Sequence, residues 1–292
     1  MKRTVRIMLT CLVLLLGIAS AVPAQAAAKK KVTLLKEMVV NHVQEDEDGG
    51  YTYKLTYDKK GFIKKATAVR SNGSEKTTYK FKYNKKKQIT KQTAQPYFLG
   101  KKQPVCTAKY KYNKKGYLSK ATIYEKNKKQ GVYQFTWDSK GKLLTEKEYN
   151  AKGALTGQKT YEYGTDGSLM KITYTKTGGV VDAVSVYQSS GPGSNTYVEN
   201  DGATGKTFMR GERIFAAGKL KTETIERYDD SDGEEFANWY NLAEVTCKYK
   251  KIKTASKTKV NKQQANILQY LYLGDYLFQN HTCDYISPYL NY

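Results

Sequence analysis

Histidine carries much of the proton-transfer chemistry that folded chains perform near neutral pH, and this chain has two, His42 and His281. His281 stands two residues before Cys283, but a Cys-His or Ser-His-Asp device needs hydrogen-bond reach between base and nucleophile. That spacing alone does not supply it. Carboxylate pairs could run a glycosidase. The candidates are the run Glu45–Asp48 and the group Asp229, Asp230, Asp232, Glu234 and Glu235, which read as solvated loop acids. The repeat strands have few acids on their aromatic faces, apart from Glu162 near Tyr161 and Tyr163. Asp230, Asp232 and Gly233 fit positions three, five and six of a calcium loop, yet Tyr228 and Trp239 fall at positions one and twelve, where carboxylates are required. No C-x-x-C and no Gly-rich phosphate loop occurs. The expectation is a protein without catalytic residues, metal or cofactor; a carbohydrate-active hydrolase is the alternative.

The residue types that do recur are tyrosine and lysine. The chain has 26 Tyr, and 50 Lys+Arg against 27 Asp+Glu, a net charge of +23. Tyr51, Tyr53, Leu55 and Tyr57 alternate with Thr52, Lys54 and Thr56. Tyr79, Phe81 and Tyr83, then Tyr110 and Tyr112, then Tyr133, Phe135 and Trp137 repeat the pattern. Period-two alternation makes each stretch a strand with one aromatic face and one cationic or hydroxyl face. Rows of rings stack on sugars, and rows of ammonium groups attract anionic polymers. Tyr53, Tyr57, Tyr110, Tyr112, Trp137 and Tyr163 are the candidate contacts. The competing reading is that they only pack the sheet.

The strands need elements that turn them. Tyr57-Asp-Lys-Lys-Gly61 returns as Tyr112-Asn-Lys-Lys-Gly116, Trp137-Asp-Ser-Lys-Gly141, Tyr149-Asn-Ala-Lys-Gly153, Tyr163-Gly-Thr-Asp-Gly167 and Tyr174-Thr-Lys-Thr-Gly178. Asx opens a type I turn and glycine closes it in the left-handed region as a bulge. Tyr83-Asn-Lys-Lys-Lys87 lacks the glycine, so Lys87 is expected to be strained or to mark a different turn. The longer gaps between anchors are about double the shorter ones, so the unit is one strand plus one turn. The fold class that follows is all-β: an antiparallel meander of repeated β-hairpins forming an open or curled sheet. A short mixed C-terminal segment follows, and Asn261–Phe278 is its helix candidate.

The stretches YKLTYDKKGFIKKATA (53–68), AKYKYNKKGYLSKATI (108–123) and FTWDSKGKLLTEKEYNAKGAL (135–155) resemble the YD repeat of Rhs and teneurin-like bacterial surface proteins. The resemblance covers residues 51–187. It implies long antiparallel sheets, surface display and contact with carbohydrate. The repeats here are too few for the closed toxin-enclosing shell of that family, and no recognisable toxin segment follows.

Lys2, Arg3 and Arg6, the apolar run Cys11–Ile18 and Ala24-Gln25-Ala26 have the plan of a secretory signal peptide. The expected organisation is a signal peptide at 1–26, an N-terminal lead-in at 27–50, the hairpin repeats at 51–187, degenerate β repeats at 188–260 and the C-terminal segment at 261–292. The mature chain is expected to be secreted or cell-surface, with no transmembrane segment after signal removal. Its expected partner is a cell-wall or extracellular polysaccharide or another anionic polymer, rather than a specific nucleic acid. A purely structural spacer is a further alternative. Cys247 and Cys283 are the possible disulfide, leaving Cys106 free.

Overall fold

In the computed structural model, which describes residues 30–42, 50–191, 193–229, 237–254 and 260, most of the repeated signatures fold the chain back in one way. Gly61 N–H donates to the Asp58 carbonyl (3.0 Å), and Asp58 Oδ1 accepts from the Lys60 and Phe62 amides (2.8 and 2.9 Å). Asn84, Asn113, Asp138 and Asn150 repeat the cap on the residue four places on. Gly61, Gly116, Gly141, Gly153 and Gly167 have φ between 87° and 92°, a region closed to most side chains. Lys87 occupies the same position with φ 65° and donates to the Asn84 carbonyl. It therefore keeps the turn at a backbone cost of about 1 kcal/mol. The last signature is displaced: Tyr174 lies inside a strand, and Gly178 (φ 85°) belongs to a 3₁₀ turn at Thr177–Gly179.

Seventeen strands result: β1 (Lys30–His42), β2 (Tyr51–Tyr57), β3 (Ile63–Arg70), β4 (Glu75–Tyr83), β5 (Ile89–Phe98), β6 (Lys101–Lys102), β7 (Cys106–Tyr112), β8 (Leu118–Glu125), β9 (Lys128–Trp137), β10 (Leu143–Asn150), β11 (Leu155–Tyr163), β12 (Leu169–Lys176), β13 (Val181–Gly191), β14 (Ser194–Asp201), β15 (Thr207–Ala216), β16 (Lys219–Asp229) and β17 (Asn238–Thr254). Each pairs antiparallel with its neighbour in sequence, except that β7 pairs with β5 and the two-residue β6 only extends a hairpin tip.

The sheet does not stay open. β1 pairs with β17 over twelve residue pairs, from Lys30↔Thr254 to His42↔Ala243, and also with β2. This corrects the expected open or curled sheet: sixteen staves close into an antiparallel barrel. An even number lets the first and last staves run antiparallel. Hairpin-by-hairpin reading could not see the closure, because β1 lies in what reads as a lead-in and carries no turn signature. The sheet likewise runs without a break through the boundary drawn at residue 188. The helix candidate Asn261–Phe278 lies outside the described residues. Among those, helical structure is limited to the Thr177–Gly179 turn and Val260.

A second regularity follows each signature. Tyr57 opposes Ile63, but Thr56 opposes Lys65, so two residues of β3 face one of β2. The same bulge follows Tyr83, Tyr112, Trp137 and Tyr163. It shifts the alternation by one, so the inward residues of β3 are Ile63, Ala66 and Ala68. Small residues on the descending strand then sit beside large rings on the ascending one: Tyr79 pairs with both Ala66 and Ala94, and Tyr110 with Ala121. This large-small interdigitation fills the inner face, where Tyr53 and Tyr79 are wholly buried.

Candidate functional site

The six aromatic residues predicted as contacts all sit on the inward face. Tyr53 and Tyr110 are buried, at 0% and 4% exposure, and the other four are half-buried. Their polar atoms are engaged. Tyr110 donates to Gln92 Oε1 (2.7 Å). Tyr57 donates to the Leu35 carbonyl, Tyr112 to that of Ile89 (2.5 Å), Trp137 Nε1 to Leu118 (2.6 Å) and Tyr163 to Leu143 (2.9 Å). Tyr83 to Ile63 (2.6 Å) and Tyr249 to Leu220 (2.7 Å) complete the series. From Tyr83 to Tyr163, each anchor bolts its turn to the first residue after the preceding turn of this end. The tyrosine has the polar reach that phenylalanine lacks.

Inward placement of the rings leaves the lysines outside. Between Tyr51 and Tyr124 the sequence has 20 Lys/Arg and two carboxylates, Asp58 and Glu75; between Glu125 and Thr254 it has 20 and 18. Asp58 caps a turn, and Glu75 is held by Arg70 (3.0 Å) and the Tyr51 hydroxyl (2.8 Å). Across the outer face of β3–β8, lysine directly opposes lysine: Lys65↔Lys80, Lys82↔Lys91, Lys91↔Lys109 and Lys111↔Lys120. Like charges so paired cost roughly 0.2–1 kcal/mol each. Lysines at mid-strand also take the place of the apolar band that a lipid-facing barrel wall carries. Among the described residues, no helix is long and apolar enough to cross a membrane.

The belt ends at a row of turns. Antiparallel order puts the turns after β2, β4, β7 and β9 at one end of the barrel. They present Lys59 and Lys60, Lys85–Lys87, Lys114 and Lys115, and Lys140, all exposed. Between the second and third turns lies a cleft of about 690 Å³. Lys85, Lys86, Lys111, Lys114 and Lys115 line it, and its described lining has no carboxylate. Gln88 Nε2 donates to the Gly116 carbonyl (3.2 Å) and ties the two turns together. In the fourth turn, the Lys142 amide bonds the Asp138 carboxylate and holds it below the usual carboxylate range. The arrangement can neutralise several anionic groups at once.

The opposite wall places its charges inside. Arg213 and Glu223 are buried and paired (2.8 Å), with the guanidinium 4.6 Å from the Tyr197 ring centroid and 5.4 Å from that of Tyr187. Burial pulls the Arg213 pKa down, but Glu223 and the two phenols more than offset it, and the group stays charged. Its two Nη atoms have no partner among the described residues. The Tyr197 ring lies flat over Gly211, where a Cβ would meet it at 2.5 Å. Glu146 is buried beside Tyr161, and burial raises its pKa; Glu199 is raised for the same reason. Sequence reasoning missed these interior acids. The bulge after Trp137 turns Glu146 and Glu148 inward and Tyr149 outward, and that parity change was the signal available. Glu162 is instead exposed and paired with Lys171 (3.1 Å).

Cys106 and Cys247 are buried thiols outside any disulfide among the described residues, with pKa values pushed by burial to about 11 and about 12. Cys283, His281 and the acid runs Glu45–Asp48 and Asp230–Glu235 lie outside the described residues, as do residues 1–26 with the signal-peptide pattern.

No protein-family model matches the sequence, and no curated protein does. Among solved structures, a porin-like protein from Bacteroides uniformis is similar at 12% identity, with 74% of this chain and 96% of that one covered and a TM-score of 0.40. A porin-like protein from Bacteroides vulgatus gives 12%, 75%, 99% and 0.31. A TcdB2-TccC3-TEV chain gives 12% identity over 64% of this chain and 15% of its own length, with a TM-score of 0.17. The barrel assignment stands on the strand pairing itself.

Proposed function

We propose that this protein is an exported, non-catalytic binder of an anionic cell-surface or extracellular polymer, held on the lysine face of β3–β8. The observation that carries this reading is the chain of directly opposed lysine pairs. They destabilise the sheet, no acid on that face offsets them, and an anionic ligand would turn the repulsion into attraction. The secretory pattern of residues 1–26 supports an exported location, where wall polymers and acidic polysaccharides are the available polyanions. Sugar stacking on the six inward aromatics has less support, because five of them bond their polar atom within the sheet and their rings stand inward beside small cross-strand neighbours.

The test is binding of the mature chain to immobilised inorganic polyphosphate and to an acidic polysaccharide at about 0.05 and 0.5 M salt, a range over which exposed charges become strongly screened. Strong binding at the lower concentration and steep loss at the higher are expected. The variant K82T/K111T should bind several-fold more weakly while melting no lower than the parent, since it removes repulsion from the fold beside the turns. Equal binding at both salts, or unchanged binding by that variant, would remove the reading.

A further inference from the structure

The regular turn geometry says how such a polymer would lie, an inference that rests on the polyanion reading above. Four consecutive turns at one end of the barrel carry lysines on the same two positions: Lys59 and Lys60, Lys85 and Lys86, Lys114 and Lys115, and in the fourth turn Lys140 alone. Each turn is held by an Asx cap on its fourth following amide, so the display positions are fixed by the backbone rather than by free loops. Successive turns are two strands apart, about 10 Å. The row spans three such steps, about 30 Å. Just below it, on the strand side of each bulge, stand Lys65, Lys91 and Lys120.

On the side of β10 the row has an end. The next turn, Gly164–Gly167, carries Asp166, whose carboxylate is held on the Ser168 amide and hydroxyl (2.9 and 2.7 Å). The turn after β15 is Ala217-Gly218, without charge. The cations themselves are all lysine. Between Tyr51 and Tyr124 the one arginine is Arg70, which is spent on Glu75. Arginine forks grip carboxylate and phosphate alike in planar two-point contacts, whereas lysine binds phosphate as a point charge and imposes no fixed orientation on it.

We infer that the turn row is a track for a linear phosphate-linked polyanion. The chain runs across the strand ends, transverse to the strands, seats in the cleft between the second and third turns, and is gripped about every 10 Å. Such a track has a characteristic length. Affinity should climb with ligand length until the ligand reaches all four turns, and then level off.

The experiment is a titration of the mature chain with inorganic polyphosphate fractions of defined length, at about 0.05 M salt, with polyglutamate of matched charge as the carboxylate comparison. A plateau at an extended length of about 30 Å is expected, with polyphosphate preferred over polyglutamate. K114S/K115S, in the centre, should weaken binding at every length and lower the salt slope by about two. K59S/K60S, at the end, should leave short ligands unaffected and move the plateau to a shorter length. Affinity that rises without a plateau, central and end variants that behave alike, or polyglutamate bound as well as polyphosphate would each overturn the track while leaving the polyanion reading intact. No binding of either polymer at any length would instead remove the polyanion reading itself.

Discussion

The wall from β2 to β8 and the wall from β10 to β16 are both runs of antiparallel hairpins but treat charge in opposite ways. The first buries Tyr53, Tyr79, Tyr110, Ala66, Ala94 and Ala121 and sends its lysines outward, where they face one another. The second keeps Arg213, Glu223 and Glu146 inside and nearly balances cations with acids. Position for position, the inward site nine residues after the anchor is Ala66 in β3, Gln92 in β5, Ala121 in β8 and Glu146 in β10. One scaffold thus accepts either a close-packed apolar interior or a polar one, in which Arg213 is met by Glu223 and by the rings of Tyr187 and Tyr197. The price of the apolar choice is a surface on which unbalanced lysine collects, and that surface is what can be used for binding.

The contrast breaks first at the buried pair. Glu223→Ala leaves Arg213 charged and enclosed, and a loss of about 3–5 kcal/mol in unfolding free energy is expected. Arg213→Met with Glu223→Leu should recover most of it, making the second wall behave like the first. Denaturant titration reads both, and a double variant as weak as the single would show that the pair holds the wall together on its own account. The aromatic bolts of the first wall come next. Tyr112→Phe keeps the ring and removes the donor to the Ile89 carbonyl, for an expected loss of about 1 kcal/mol; no change would reduce the bolts to packing. The smallest effect concerns Glu146. Its folded pKa lies above the unfolded value, so its contribution is least unfavourable in acid and worsens as pH rises through the usual carboxylate range. Glu146→Gln should therefore raise the melting temperature near pH 7 by roughly 2 °C and have little effect near pH 4. A gain that persists equally in acid would argue against the titration of this carboxyl.

Turns and strands were legible because their causes are local. Asp58, Asn113 and Asp138 cap amides two to four residues away, and the glycine requirement is a property of one backbone position. Lys87 was legible even as an exception. The interior acids were not, because the bulge changes which side of the strand faces in, and Glu146 and Glu148 read as the outer partners of Tyr149 until that change is known. The candidate contacts were legible as one face but not as an inner one: alternation says that Tyr57 and Tyr112 share a side, and says nothing of which side meets water.

By itself the sequence determined the hairpin unit, its turn chemistry and the segregation of rings from lysines, since each depends on residues within a few positions of one another. Only the tertiary structure decided that β1 and β17 meet, that the rings therefore turn inward, and that Lys65 faces Lys80 and Lys91 faces Lys109 across neighbouring strands. Closure joins residues some two hundred positions apart, and no local preference encodes it. Burying the aromatic faces inside a sheet with no free edge selects it.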